Sequence, residues 1–386
     1  MIPLKEKEEE ISLLKKSIES FAKKEMEPFY GKWEQEGNIP VGLWKKLGDA
    51  GFLCVDIPEH YGGLGTPLRY ATTIIEEFSR LGYSSLAVNL SVHSNIVAHY
   101  ILSSGTEEQK NHYLPKMATG ESIGAIAMTE PGAGSDLQGI STTAIKNEST
   151  NEYFINGTKT FISNGQNFGF VIVVARTNRK VKASKGTSLF IVDADTFGLT
   201  KGKKLKKIGL HSADTSELIL ENVSVPSSQI LGEVDYGFAV LMTELPRERL
   251  TLAIGACGAM EGMLDITVKY LHERDAFGKH LSQLQVIRHK IAEMTTEAKV
   301  NRAYVNQCLR QLENNQLSTA DASVAKLSST EAQGRIADGC LQLFGGYGYM
   351  QEYPISRAFT DARVQRIYGG TSEIMKEIIS KDILDK

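Results

Sequence analysis

The chain has 386 residues, of which 41% are hydrophobic, and a formal net charge of −3. That length allows two or three domains of about 100–200 residues, and the apolar content excludes wholesale disorder. The near-neutral balance leaves no basic footprint for nucleic acid, and no uninterrupted apolar run reaches the roughly 18 residues of a membrane span.

Met1 to Glu10 is crowded with Glu6, Glu8, Glu9 and Glu10 and has no apolar core behind it. Neither a secretory signal nor an Arg-rich transit peptide is expected there. Cys54, Cys257, Cys308 and Cys340 lie far apart. Without metal or redox spacing they read as small core residues in a reducing compartment, the cytoplasm. The histidines form no zinc pattern, since His93 and His99 are six apart and face different ways on a helix, so no metal is expected.

Residues 1–125 carry a helical period and form the first domain. Leu14, Ile18 and Phe21 repeat on one helix face until Pro28 ends the segment. Leu43, Trp44 and Leu47 start a second helix closed by Gly51, and Ile74, Ile75, Phe78 and Leu81 form a third stripe. Between these helices, the run from Pro58 to Pro67 with Gly62, Gly63 and Gly65 reads as a loop. Thr106 with Gln109 is a capping box that opens another helix.

Within residues 126–235 the period changes to two, from about Ser141 to Pro226. Asn156-Gly157, between Tyr153–Ile155 and Thr158–Ile162, predicts a hairpin because both residues accept positive φ. Phe170–Ala175, Ser188–Val192 and Leu218–Val225 read as strands of a compact, barrel-like β-domain. Lys201, Lys203, Lys204, Lys206 and Lys207 suggest a solvated strand edge, with the phosphates of a ligand as the alternative. Residues 236–386 return to long helices, about 238–271, 283–312 and 318–343, with a last one from Ser372. They predict a four-helix bundle in an α+β protein, and Gly255, Gly258 and Gly262 predict close helix packing.

Ala127-Met-Thr-Glu-Pro-Gly-Ala-Gly-Ser-Asp136 separates helical from strand-like sequence. Pro131, Gly132 and Gly134 exclude a helix interior, and the stretch suits a surface turn or a ligand loop equally. Its glycines do not have dinucleotide-fingerprint spacing. Four further segments stand with Met128–Asp136. They are Asn156–Gly165, Arg274-Asp-Ala-Phe-Gly-Lys279 with Gln285, Gln342–Gly348, and Tyr368-Gly-Gly-Thr-Ser-Glu373. Together and in this order they resemble the acyl-CoA dehydrogenase family over essentially the whole chain. The resemblance implies an N-terminal helical domain, a central β-domain and a C-terminal four-helix bundle.

Oxidising an acyl thioester at Cα–Cβ needs a carboxylate base, donors for the thioester oxygen, and a flavin for the hydride. By resemblance Met128, Thr129, Gly134, Ser135, Phe161, Ile162 and Ser163 lie near the flavin of FAD. Phe161 alternatively reads as a hairpin core residue. Arg274, Phe277 and Gln285 would complete a neighbouring subunit's FAD site in a homotetramer, with Arg274 suiting the diphosphate, and Gln342, Gly345 and Gly346 would also bind FAD. Thr371 and Glu373 would lie near FAD, although Glu373 equally suits a helix N-terminus. Ser135, Arg249, Gly369 and Gly370 would touch the acyl-CoA.

The chain departs from much of the family at Gly369, where relatives carry the glutamate base. Its long-chain and isovaleryl branches place that base on the first long C-terminal helix, and Glu248 in Glu244-Leu-Pro-Arg-Glu-Arg-Leu250 matches it. Glu248 is therefore the expected base, and Glu244 reads as a solvated or capping charge. Val88 and Val92 match the helix closing the acyl pocket and imply a deep channel for medium to long chains, with a place in the helix core as the equal alternative. An electron-transfer flavoprotein is the implied acceptor. Alternatives are an oxidase or flavin monooxygenase, a biosynthetic acyl-carrier-protein dehydrogenase, and a base-less scaffold.

Overall fold

The computed structural model describes residues 4–385, so Met1–Pro3 of the charged leading stretch lie outside the described residues. The N-terminal helices are α1 (Leu4–Glu25), α2 (Glu27–Glu36), α3 (Val41–Asp49), α4 (Leu68–Arg80) and α5 (Ser84–Leu90). A π-helical stretch, Ser91–Val97, joins α5 directly to α6 (Ala98–Ser104), and α7 (Glu107–Ala118) follows. The break after α1 falls at Met26, and Pro28 sits in the first turn of α2, where its missing N–H has no partner to lose. Thr106 and Gln109 form the expected capping box.

The strands are β1 (Gly124–Ala127), β2 (Thr143–Asn147), β3 (Glu152–Ser163), β4 (Phe170–Arg176), β5 (Thr187–Asp193), β6 (Leu199–Lys204), β7 (Thr215–Pro226) and β8 (Ile230–Leu231). Their order is β6-β7-β3-β2-β4-β5-β8, with β1 on β4. Only Thr143 and Arg176 pair β2 with β4, so the sheet bends there and its halves fold over one core. Tyr153, Ile155, Leu218 and Val223 meet Val171, Val173, Phe190 and Val192 inside it.

The expected hairpin at Asn156-Gly157 is absent, and β3 runs straight through it with a bulge. The Asn156 side chain accepts from the Asn222 N–H and donates to the Asn222 side chain across β7. A Cβ at Gly157 would collide with Thr142, so the glycine serves close strand approach, not a turn. The lysine edge is solvated only in part, since Lys201 turns inward to donate to the Gln166 and Phe168 carbonyls.

The C-terminal helices are α8 (Gly237–Glu273), α9 (Gln285–Glu313), α10 (Thr319–Phe344), α11 (Pro354–Ala362) and α12 (Ser372–Leu384). Among the described residues only α8 is long and apolar enough to cross a membrane, yet most of that stretch is buried inside the protein. α8 packs on α4 through glycine. A Cβ at Gly258 would strike the Glu76 carbonyl, and one at Gly262 the Arg80 carbonyl. Gly255 differs, since its Cβ would meet Ser79 Oγ at 3.4 Å, an ordinary contact. The four cysteines are free and buried.

Candidate functional site

Three segments carry most of the expected site residues. The loop after β1 is anchored from below by a buried ion pair. Lys159 Nζ lies 2.8 Å from Glu130 Oε1 and 3.1 Å from the Met128 carbonyl. Glu130 also accepts from the Ser141 N–H and hydroxyl and from the Thr142 N–H. Burial pushes the Glu130 carboxyl up, but Lys159 and these donors outweigh it and bring its pKa to about 2. For Lys159 burial wins over Glu130, and its pKa falls to about 8. Neither residue was singled out from sequence, although both sit inside the motifs.

Thr160 N–H donates to the Thr129 carbonyl at 2.9 Å, which sets Met128–Thr129 beside β3. Phe161, with φ of +59° at a bulge, is 67% exposed, which overturns its reading as a core residue. Ile162 points into the β-core, so only its backbone can face a ligand. Ser163 and Met128 are half-buried, and Gly134 and Ser135 are exposed. The result is an outward aromatic ring beside a polar backbone edge, open to a flat ring system.

The second segment is α8. Glu248 is buried, and Tyr100 from α6 donates its hydroxyl to Glu248 Oε1 at 2.7 Å. Burial is the main cause that raises the Glu248 pKa to about 7, and Glu244 adds to it. Tyr100 and Arg249 oppose the rise by favouring the carboxylate. Glu244 is itself buried, which corrects its solvated reading: α8 turns residues four apart onto one face, and here that face is interior. Arg249 is buried, with Nη1 3.5 Å from Ser323 Oγ and Nε without a protein partner. Tyr100 was not found from sequence, because nothing local links residues 148 positions apart.

The third segment is the turn Tyr368–Thr371. Gly369 has φ of +61°, and a Cβ there would collide with the Leu252 side chain, one turn along α8 from Glu248. Position 369 therefore lies against α8, and its positive φ disfavours any residue but glycine. Gly370 also has positive φ, and buried Lys326 holds its carbonyl at 2.6 Å. Burial, reinforced by Arg249, lowers the Lys326 pKa to about 8. A pocket beside this turn is lined by Val88, Ser91, Thr251, Leu252 and Tyr368. Val92 is not part of its lining and packs instead toward the core of Ile96 and Val97.

Arg274, Gln342, Gly345 and Gly346 line a separate groove with Tyr270 and Tyr347, and the Arg274 guanidinium stands 5.7 Å from the Tyr347 ring centre. Phe277 is 92% exposed, and Gln285 is exposed at the start of α9. Thr371 caps α12 by accepting from the Ile374 N–H, and Glu373 stands exposed in its first turn, as the helix-terminus reading expects.

Sequence models of three acyl-CoA dehydrogenase domains match the chain: the N-terminal domain at residues 8–121, the middle domain at 125–223 and the C-terminal domain at 235–384. The mitochondrial long-chain specific acyl-CoA dehydrogenase of Sus scrofa is 47% identical over 97% of this chain and 86% of its own length. An acyl-CoA dehydrogenase structure from Geobacillus kaustophilus superposes with a TM-score of 0.94 at 44% identity, covering 97% of this chain and 98% of that one. A glutaryl-CoA dehydrogenase of Mycobacterium smegmatis in complex with FADH2 is 29% identical with a TM-score of 0.91, covering 98% of this chain and 95% of that one.

Proposed function

The chain belongs to the acyl-CoA dehydrogenase family, and on that premise we propose that it oxidises acyl-CoA thioesters to trans-2,3-enoyl-CoA with Glu248 as the base. The family uses FAD, and the residues present fit it. Phe161 and the Met128–Thr129 edge suit the ring system, while Arg274 beside Gly345 and Gly346 suits the diphosphate. When bound, FAD supplies the acceptor for the Cβ hydride, which no side chain can take.

The protein's part is the proton and the thioester. Glu248 removes the Cα proton, and a pKa near 7 keeps the carboxylate basic while leaving much of it ionised at neutral pH. Tyr100 fixes the orientation of that carboxylate. Arg249 and the Gly369–Gly370 turn, held by Lys326, border the same space, and the turn offers its N–H groups to the thioester oxygen. The observation that carries this reading is the pairing of a buried, tyrosine-bound Glu248 with a positive-φ glycine at 369 that packs against Leu252 of the same helix.

Electron transfer to an electron-transfer flavoprotein, a cytoplasmic location and a homotetramer complete the proposal. The separate Arg274 groove supports the tetramer, because the FAD it suits would belong to a neighbouring subunit. The test is anaerobic addition of acyl-CoA to the purified flavoprotein, with the product identified. The proposal requires flavin bleaching, formation of 2-enoyl-CoA and slow reoxidation in air. Fast reoxidation by O2 would mean an oxidase, and no bleaching would sink the reading.

A further inference from the structure

Each turnover leaves the Cα proton on Glu248, and the next turnover needs the carboxylate back. Glu248 is buried, so that proton requires a route out. We propose that Glu244 is the acceptor that clears it, taking the proton from Glu248 by way of the Tyr100 hydroxyl and passing it to water. This rests on the acyl-CoA reading above and extends it from proton abstraction to proton release.

The groups around Glu248 differ in sign. Tyr100 from α6 and Glu244 and Arg249 from α8 act on it directly, and Lys326 from α10 stands near Arg249. Arg249 and Lys326 are buried cations, and a proton moving their way climbs against like charge. The remaining direction carries a carboxylate. Glu244 lies one turn from Glu248 on the same face of α8, a spacing that sets Cβ atoms about 5–6 Å apart.

Tyr100 links the two acids. Its hydroxyl donates to Glu248 Oε1 at 2.7 Å. Burial first, then Glu248 and last Glu244 hold that hydroxyl well above the ordinary phenol range, so both charges reach it. Glu244 is 9% exposed and has no hydrogen-bond donor among the described residues, which leaves its carboxylate free to take a proton. His99, next to Tyr100 in the chain, is already engaged: its Nε2 lies 3.0 Å from Asp56 Oδ2, and Arg247 closes on the same pair. The transfer balances without any further reactant. The acid O–H of Glu248 breaks as its proton joins the Tyr100 oxygen, and the Tyr100 hydrogen moves to Glu244, directly or through one water. Glu248 returns as the carboxylate, Tyr100 is unchanged, and Glu244 as the acid releases the proton to solvent.

The test follows an isotope beside a rate. Excess octanoyl-CoA is mixed anaerobically with the holoenzyme in D2O at about pD 9, where Glu248 starts ionised. Flavin bleaching is recorded, and recovered octanoyl-CoA is analysed by mass spectrometry for deuterium at Cα. Deuterium enters when Glu248 exchanges its proton with solvent before the reaction reverses. In parental protein it must appear on the timescale of bleaching, and its absence would overturn the proposal. Glu244→Gln keeps the volume and removes the acceptor, and Tyr100→Phe removes the bridge. In both variants the ratio of deuterium entry to bleaching should fall at least about tenfold, the low end of which one proton-transfer group is worth. A smaller fall in either would overturn the proposal, because a merely structural role slows both processes together. If octanoyl-CoA and its longer and branched homologues all fail to bleach the parental flavin, the acyl-CoA reading itself has failed, and this inference with it.

Discussion

Tyr100→Phe is the sharpest probe of the base assignment, because it removes one hydrogen bond and leaves the ring in place. The Tyr100 hydroxyl donates to Glu248 at 2.7 Å and so stabilises the carboxylate, not the acid. A hydrogen bond to a buried charge is worth about 1.5–3 kcal/mol, and 1.36 kcal/mol corresponds to about one pH unit. The Glu248 carboxyl, with its pKa already near 7, should therefore need a pH about one to two units higher to ionise. The assay is anaerobic stopped flow of flavin bleaching by octanoyl-CoA across pH 6 to 10. At pH 7 the rate should fall about 5- to 50-fold, while at high pH it returns to the parental plateau, since an ionised Glu248 is at least as strong a base. A uniform loss at every pH would show that the hydroxyl only supports packing. An unmoved profile would refute Glu248 as the titrating base.

Glu248→Gln should slow substrate-driven bleaching by about 10²–10⁴-fold while acyl-CoA still binds. The same variant should melt higher than parental at pH 8. The folded pKa of about 7 lies above the ordinary value, so stability is lost as pH rises through that window, by about 3 kcal/mol at most. The gain should shrink to near zero by pH 4, and a gain independent of pH would contradict the buried-acid account. Gly258→Ala should cost about 1–3 kcal/mol in denaturant titration, whereas Gly255→Ala should gain about 0.5–1 kcal/mol, and equal effects would defeat the distinction drawn between them. Arg274→Ala should lose FAD on dilution without a change in secondary structure, and parental protein should sediment as a tetramer, so a monomer with full FAD would rule out the shared site.

Much of the architecture was legible because periodicity reports directly on burial. The long C-terminal helices fall within a few residues of their expected ends. The misreadings share one cause, partners distant in sequence. Asn156-Gly157 has turn chemistry, yet Asn222 and Thr142 recruit it into a bulged strand. Glu244 looks like a surface charge until α6 covers that face of α8, and Tyr100 and Lys326 carry no motif at all. Glu248 was singled out only through the glycine at 369, and the structure buries it against Tyr100. The structure supplies the physical counterpart of that substitution in the positive φ at 369, where glycine packs against the Leu252 side chain.

The π-helical stretch Ser91–Val97 gives the α5–α6 rod a property of its own. In an unbroken α-helix, Val88 and Tyr100, twelve positions apart, would point about 120° away from each other. A π turn accommodates roughly one surplus residue, about 100° of rotation, and so restores them to nearly the same azimuth. One rod thereby lines the pocket beside the Tyr368–Thr371 turn with Val88 and holds the Glu248 carboxylate with Tyr100. The aim of the Glu248 carboxylate is thus written partly in residue count. A single deletion within this stretch would swing the tyrosine away while leaving every functional side chain intact.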